Sequence, residues 1–392
     1  MHSITTAPPY PALPPHFNLA AHVLAQGAAQ PDATALSLLH PQHSEDWSYG
    51  QLRAAIGGVA SGLLAQGLRP GDRILMRLGN SIEFPVLFLA AITAGLIPVP
   101  TSAMLTGPEV AKLCDLITPA LIVADEGVAL PHAQPCPVLP AAALTDMHAL
   151  PPHPFEMGDP NRLAYIIFTS GTSGQPQPVA HAHRAILGRM MMLQGWYGLT
   201  QKDRMLHAGA FNWTYTLGTG LMDPWTLGAT ALIPAPGTKP EALPALLARA
   251  KATIFAAAPG VYRQMLRDAL PPLPALRHGL SAGEALPQAI RDGWQAKTGT
   301  AIFEAFGMSE ISTFISGSPA RPAPASATGY AQPGRHVALL GADGLPVPRG
   351  GEGVLAVDRH DPGLFLGYFG DDAATKARFQ GDWYLTGDIG CM

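Results

Sequence analysis

Cysteine is scarce in this chain: Cys114, Cys136 and Cys391 are the three in 392 residues. No metal-ligand spacing joins them, and an odd, low count fits reduced thiols in a reducing compartment. Charge is scarce as well. Charged residues make up 13% of the chain, the formal net charge is −4, and no Lys/Arg cluster stands out. The electrostatic footprint of a nucleic-acid binder is therefore missing. No apolar run reaches membrane length. The longest, Phe84 to Val99, is broken by Pro85, Thr93, Gly95 and Pro98, and it reads as a buried helix running into a strand. Met1 to Pro15 is rich in proline and lacks the basic patch and apolar stretch of a secretory signal. The 14 histidines are scattered, with no His-x-x-x-His pair on an evident helix. The expectation is a cytoplasmic protein whose partners are small molecules, with no nucleic acid and no membrane. A homodimer is compatible with this composition, and the sequence leaves the oligomeric state open.

Apolar residues are plentiful, at 47%, and the length suits two or three cores. Helical spacing over 17–30 is followed by a strand at 33–39. Trp47 and Tyr49 begin another strand, and Ser48 suits the N-cap of a helix through Leu64. Strands are expected at 73–78, 97–100 and 121–124, with a helix at 82–94. Residues 131–160, dense in proline, read as a surface connection. An apolar strand over 163–168 precedes a helix over about 182–193. Further βα rounds run through 205–233, with a helix over 217–227. Helices follow at 243–250, 260–269 and 287–297, and strands at 252–257, 276–281 and 300–303. This alternation predicts an α/β fold with mostly parallel sheets and crossover helices. From about residue 326 the texture changes to short strands between Gly and Pro, which reads as a small distorted β-barrel. The expected organisation is an α/β subdomain over 1–160, a second over 161–325 with the phosphate loop and nucleotide site, and a β subdomain over 326–392.

The stretch Thr169-Ser170-Gly171-Thr172-Ser173-Gly174-Gln175-Pro176 follows the apolar run Leu163 to Phe168. Hydroxyl and glycine residues in a row cannot build a core, but they present donors and let the backbone approach phosphate. A solvated turn is the plain alternative. Three more loops, 211–216, 282–286 and 306–310, lie at or just past the C-terminal ends of expected strands, the edge where open α/β sheets bind ligands. Ala282-Gly283-Glu284 offers a flat, side-chain-poor peptide surface for a planar ring. Phe306 adds an aromatic face and Glu310 a carboxylate, which together with phosphate oxygens suits Mg²⁺. Asp388, in Thr386-Gly387-Asp388, suits a ribose diol. Phosphate, ring, metal and ribose converge on ATP. Each residue also has a plainer reading: Glu310 as a solvated carboxylate at a helix start, Asp388 as a turn residue, Phe306 and Trp213 as packing. His181, His183 and His207 have no nameable partner and read as structural or surface residues. Met190-Met191-Met192 reads as core.

Three motifs, Thr169 to Pro176, Phe306-Gly-Met-Ser-Glu310 and Tyr384-Leu-Thr-Gly-Asp388, stand in the order and approximate spacing of the adenylate-forming superfamily, which the chain resembles from about Asn18 to its end. Ser281 to Pro287, Gly329 to Gly334 and Pro362 to Tyr368 support the resemblance. Val179 to Arg184 and Phe211 to Thr214 point to acyl-CoA ligases of the benzoate, aminobenzoate or medium-chain type. The resemblance implies ATP, Mg²⁺ and CoA as cofactors and a carboxylate as substrate. It implies that the carboxylate attacks the α-phosphorus to give an acyl-adenylate, from which a thiol then displaces AMP. Catalytic roles fall to Thr169, Ser309 and Glu310, with Glu310 holding the metal. Nucleotide binding is implied for Thr169, Ser170, Gly171, Thr172, Ser173, Gly174, Gly283, Glu284, Ala305, Phe306, Gly307, Met308, Ser309 and Asp388. The acyl pocket is implied for Phe211, Asn212, Trp213, Thr216, Ala282 and Gly307.

The chain departs from that pattern in two places. The family's loop usually continues Gly-x-Pro-Lys-Gly, and here Gln177 stands at the lysine position and Pro178 at the glycine. A neutral amide donates hydrogen bonds but cannot offset phosphate charge, so weaker ATP binding or slower adenylation is expected. The family also usually continues past Thr-Gly-Asp into a smaller mobile domain with a lysine for the reacting oxygens. The sequence reads as the large domain without that lid, ending abruptly after Asp388. Two other functions stay open at this point: a catalytically impaired ATP- or acyl-adenylate-binding protein, and an adenylation domain that loads a carrier protein.

Overall fold

Ser48 caps the helix Tyr49–Ala65 through a reciprocal box: its hydroxyl accepts from the Gln51 N–H while the Gln51 side chain accepts from the Ser48 N–H. That local signal, read from the sequence, is realised in the computed structural model, which describes residues 2–5, 7–169 and 176–392. The helix Glu83–Thr93 follows, with every residue from Phe84 to Thr93 buried, and runs into strand Ile97–Pro100. A helix that is apolar all round is a core helix, and this one sits between the helix Tyr49–Ala65 and the N-terminal helix Leu19–Ala28.

Two parallel sheets dominate. One has the order Ile97–Pro100, Arg73–Arg77, Leu121–Ala124, Val138–Pro140. The other has nine strands. Its centre is six parallel strands in the order Ile302–Met308, His278–Ala282, Ile254–Ala256, Arg204–His207, Thr230–Pro234 and Thr34–Leu39. Antiparallel strands Ser312–Ser316 and Tyr330–Ala331 extend one edge, and Ser44–Ser48 closes the other. A third, smaller sheet is the hairpin Leu163–Thr169/Gln177–Ala182 with Gly367–Tyr368 added. The last is a curled, half-barrel antiparallel sheet of Val337–Leu340, Glu352–Asp358, Trp383–Cys391 and Phe379–Gln380. The α/β architecture expected from the sequence is the one observed.

Several local expectations change. The helix expected from about Ala182 begins at Ala185 and runs to Met192, and Ala182 instead ends the strand Gln177–Ala182, which has no assignment in the sequence. Helix Gly107–Ile117 was passed over, although Thr106 and Glu109 form its capping box and Pro108 sits at its start. Within the expected connection 131–160 lie strand Val138–Pro140 and the short helix Ala143–Met147. The helix expected over 217–227 is one continuous helical run over 214–226, starting three residues early and widened into a π-turn at Gly218–Met222. The chain does not stop its structure at Asp388: strand Trp383–Cys391 carries on, pairing Ile389, Gly390 and Cys391 with Val354, Gly353 and Glu352. The sheets also cross the expected boundaries. Thr34–Leu39 pairs with Thr230–Pro234, and Ser3 and Thr5 bond to Val347, Val337 and Leu339 in the C-terminal sheet.

Candidate active site

The central parallel strands end along one edge, and a cleft of about 440 Å³ opens there. Thr169 brings one wall, at the end of the hairpin strand. Trp213, Thr214 and Tyr215 bring a second, at the start of the turns after strand Arg204–His207. Ala282 and Gly283 come from the end of strand His278–Ala282. Gly307, Met308, Ser309, Ser312 and Thr313 come from the turn into the antiparallel edge.

Two glycines are dictated by this geometry. Gly283 has φ +96° and nothing within 4 Å of the place a Cβ would take, so it presents bare peptide to open space. At Gly307 a Cβ would lie 2.2 Å from the Ser312 carbonyl oxygen and 2.4 Å from Thr313 Cα. Only glycine lets strand Ile302–Met308 approach the returning chain so closely. Ser312 itself has φ 70°, uncommon for a residue with a side chain, so the cleft wall holds backbone strain.

That strained serine is tied from behind. Arg189 donates to the Ser312 hydroxyl and makes a bidentate pair with Asp223, at 2.8 Å from Nε to Oδ1 and 2.7 Å from Nη2 to Oδ2. Tyr197 donates to the same carboxylate at 2.7 Å, and Thr219 completes the enclosure. Both charges are sealed from water, and breaking such a pair by removing one partner costs about 3–5 kcal/mol. His181 and His207 lie in the same buried layer. His207 Nδ1 accepts from the Gly209 N–H at 3.0 Å, which puts the ring proton on Nε2, where no partner meets it among the described residues. His181 stacks on Tyr165 at 4.8 Å, and neither ring nitrogen has a partner in hydrogen-bonding geometry, although the Ser309 backbone lies close. Burial pushes both imidazoles down to about 3, and Arg189 adds to it by charge repulsion. His183 is buried too, and its Nδ1 accepts from the Leu19 N–H at 3.0 Å.

Beside the cleft stands Glu310. It is not a solvated helix-start carboxylate: it lies in the turn between two strands, it is buried, and Oε1 accepts from the Tyr368 hydroxyl at 2.8 Å. Burial first, and then this carboxylate, pushes the Tyr368 phenol up to about 12. Asp388 is exposed on strand Trp383–Cys391, where its N–H donates to Thr386 Oγ1 at 3.0 Å.

The structure brings some of the sequence-derived residues together and separates others. Thr169, Trp213, Ala282, Gly283, Gly307, Met308 and Ser309 share the cleft. Phe211 does not: it is buried in the large core, 5.1 Å from the Phe84 ring, with its N–H donated to Asn80. Thr216 and Ala305 are buried outside the lining, and Asn212 and the exposed Glu284 are also outside it. Phe306 is half-buried, with its ring edge against Phe314 at 5.5 Å. Trp213 is 60% exposed, so it is not core packing. Ser170, Gly171, Thr172, Ser173 and Gly174 lie outside the described residues. Their hairpin ends are described, and there Thr169 pairs directly with Gln177. Sequence reasoning missed Tyr215, Ser312 and Thr313 as lining, and it gave no role to Tyr368 although it sits in the quoted stretch Pro362 to Tyr368.

A bare glycine shelf at Gly283 and a buried carboxylate at Glu310 flank a cleft at the C-terminal edge of a parallel sheet, the edge at which open α/β sheets hold ligands. The family model for AMP-binding enzymes matches residues 23–369. The chain belongs to that family. It is 30% identical over 343 residues to the anthranilate–CoA ligase of Pseudomonas aeruginosa, covering 83% of this chain and 65% of that protein. Among solved structures, a benzoate–CoA ligase from Burkholderia xenovorans superimposes with TM-score 0.85 at 27% identity, covering 96% of this chain and 78% of that one. ATP-bound MatB from Rhodopseudomonas palustris gives 0.85 at 26%, covering 96% and 76%.

Proposed function

We propose that this chain activates a monocarboxylic acid of the aromatic or medium-chain type with ATP, as the nucleotide-handling domain of an AMP-forming acyl-CoA ligase. The observation that carries the reading is the shared cleft of Thr169, Gly283, Gly307 and Ser309 with Glu310 at its side. A carboxylate oxygen bonds to the α-phosphorus, and the bond to the bridging oxygen breaks, releasing pyrophosphate. In the second step a CoA thiol gives up its proton and its sulfur bonds to the acyl carbon, releasing AMP. Positioning and electrostatic stabilisation do most of the work in such displacements.

The residues take these roles. Thr169 binds the phosphates, and the hydroxyls and glycines of 170–174 are assigned the same role. The Gly283-Glu284 backbone supplies a shelf for adenine, with Phe306, Gly307 and Met308 shaping its other side and the buried Ala305 behind them. Asp388 accepts from the ribose hydroxyls, and Ser309 stands near the α-phosphate. Trp213, Thr214, Tyr215 and Ala282 form the mouth of the acid pocket. No lysine or arginine is among the residues lining the cleft, which favours a monocarboxylate over a diacid. Glu310 fits a metal shared with phosphate: Tyr368 engages one oxygen, and Mg²⁺ bound through substrate phosphates needs only one or two carboxylates. When bound, Mg²⁺ neutralises phosphate charge. We also place the chain in the cytoplasm. Among the described residues no helix is long and apolar enough to cross a membrane.

The test is acid-dependent exchange of labelled pyrophosphate into ATP across a panel of benzoates and medium-chain acids. Exchange is expected with the wild-type chain, and a fall of about a hundredfold with Glu310→Gln. If no acid on the panel supports exchange while ATP binds normally, the binding-protein reading replaces this one.

A further inference from the structure

The hairpin strand that faces Thr169 begins at the neutral Gln177, and the residues lining the cleft include no cation. The fold nevertheless brings one to the adjoining side. Arg378 ends the helix Asp372–Ala377, and its carbonyl accepts from the Leu385 N–H at 2.8 Å, which fixes it against strand Trp383–Cys391. The next two residues, Phe379 and Gln380, pair with Tyr384 and Trp383. That register turns the guanidinium toward the Thr386-Gly387-Asp388 segment. Nη1 lies 3.4 Å from the place a Cβ would occupy on Gly387, the residue before Asp388, and Gly387 has φ +90°. Glu310, Tyr368 and Tyr384 are the charged and polar groups around it.

Resting on the nucleotide reading above, we infer that Arg378 is a nucleotide-binding residue that supplies positive charge to the phosphates nearest the ribose, in place of the cation that Gln177 does not provide. Its position decides which phosphate. Asp388 holds the ribose end and Glu310 the metal end, and the guanidinium stands between the segments that carry them. A group there meets the α-phosphate, which ATP and AMP share and adenosine lacks. Arginine suits this task because its planar fork donates to two phosphate oxygens at once. The surroundings leave it available. Arg378 is half-buried and forms no ion pair within 4.0 Å among the described residues, unlike Arg189 and Arg335, which are sealed against Asp223 and Asp361.

The experiment is calorimetric titration of ATP, AMP and adenosine into the full chain and its Arg378→Ala, Arg378→Gln and Arg378→Lys variants. Wild type is expected to bind ATP and AMP more tightly than adenosine. Arg378→Ala should weaken ATP and AMP by about tenfold or more and leave adenosine unchanged, since a charge-assisted hydrogen bond is at stake. Arg378→Gln should follow the alanine variant, and it decides the matter if the alanine variant does not fold. Arg378→Lys should recover part of the loss at low salt. The fall in ATP affinity between about 50 and 200 mM KCl should be shallower without the arginine. Unchanged ATP and AMP affinities would overturn the inference. So would an equal loss for adenosine, which marks a deformed pocket rather than a lost phosphate contact. A wild-type chain that binds none of the three overturns the nucleotide reading itself, which is a separate outcome.

Discussion

Arg189 lies behind the cleft wall with its guanidinium enclosed by Asp223, Tyr197, Thr219 and Ser312, whereas Arg378 stands half-buried beside Glu310 and Gly387. The same side chain serves two purposes. Behind the wall its charge is spent on a carboxylate that never meets water, and what remains is geometry: three chain segments are joined at one point. At the Glu310 side the charge is only partly compensated, and it can be lent to a ligand. A buried polar group with every partner supplied rigidifies a site, while one with capacity to spare can recognise something.

This contrast can be broken or sharpened by experiment, and the largest effect is expected behind the wall. Arg189→Met leaves Asp223 buried without its partner and should cost about 3–5 kcal/mol, read as a lower midpoint in thermal and denaturant unfolding. Arg189→Met combined with Asp223→Leu should recover much of that loss. A single variant as stable as wild type would show that the pair does not hold the wall.

The buried histidines come next. Both His181 and His207 are held below their ordinary range, so the folded state refuses a proton that the unfolded chain accepts. Stability is therefore full above about pH 6.5 and falls as the pH drops from there toward 3. For these two residues the loss is about 1.4 kcal/mol each per pH unit, and it should appear as a falling thermal midpoint between pH 7 and 5.5. A His181→Leu/His207→Leu variant should show a shallower slope. An identical slope would place the acid sensitivity elsewhere, for instance at His183 or His278, which burial also lowers.

The smallest effect is the gain of charge opposite Thr169. Gln177→Lys should raise the pyrophosphate-exchange rate by about tenfold, the worth of one charge-assisted contact. It should raise it more in the Arg378→Ala background if the two positions share one task. An unchanged rate in both backgrounds would show that phosphate charge at this end does not limit the reaction.

Much of the fold could be read because its signals are local. Ser48 and Gln51 are three residues apart, and Ile97–Pro100 and Leu121–Ala124 are unbroken apolar runs between breakers. Strand Gln177–Ala182 has no assignment in the sequence because its identity comes from its partner. Pro178 and His181 give no strand pattern, and the pairing with Leu163–Thr169 makes it one. The site divides in the same way. Gly283, Gly307 and Glu310 announce themselves within short motifs. The burial of Phe211 against Phe84, more than a hundred positions earlier in the chain, is a long-range contact that no local spacing announces. The tie between Arg189, Asp223 and Ser312 joins three distant segments, and no spacing rule connects them.

The strand Thr34–Leu39 has a consequence in time. It is buried along nearly its whole length, and its parallel neighbour, Thr230–Pro234, is made roughly two hundred residues later. At ribosomal speeds of about 5–20 residues per second, that is a wait of about 10–40 s. During the wait, Ala35, Leu36, Leu38 and Leu39 have only the hairpin partner Ser44–Ser48 and the helix Tyr49–Ala65 to shelter them. The nascent chain thus carries an unpaired apolar edge through half of its own synthesis. The stage most exposed to aggregation is therefore set by when the second half of the sheet arrives, and a slowed codon between the two strands would lengthen it.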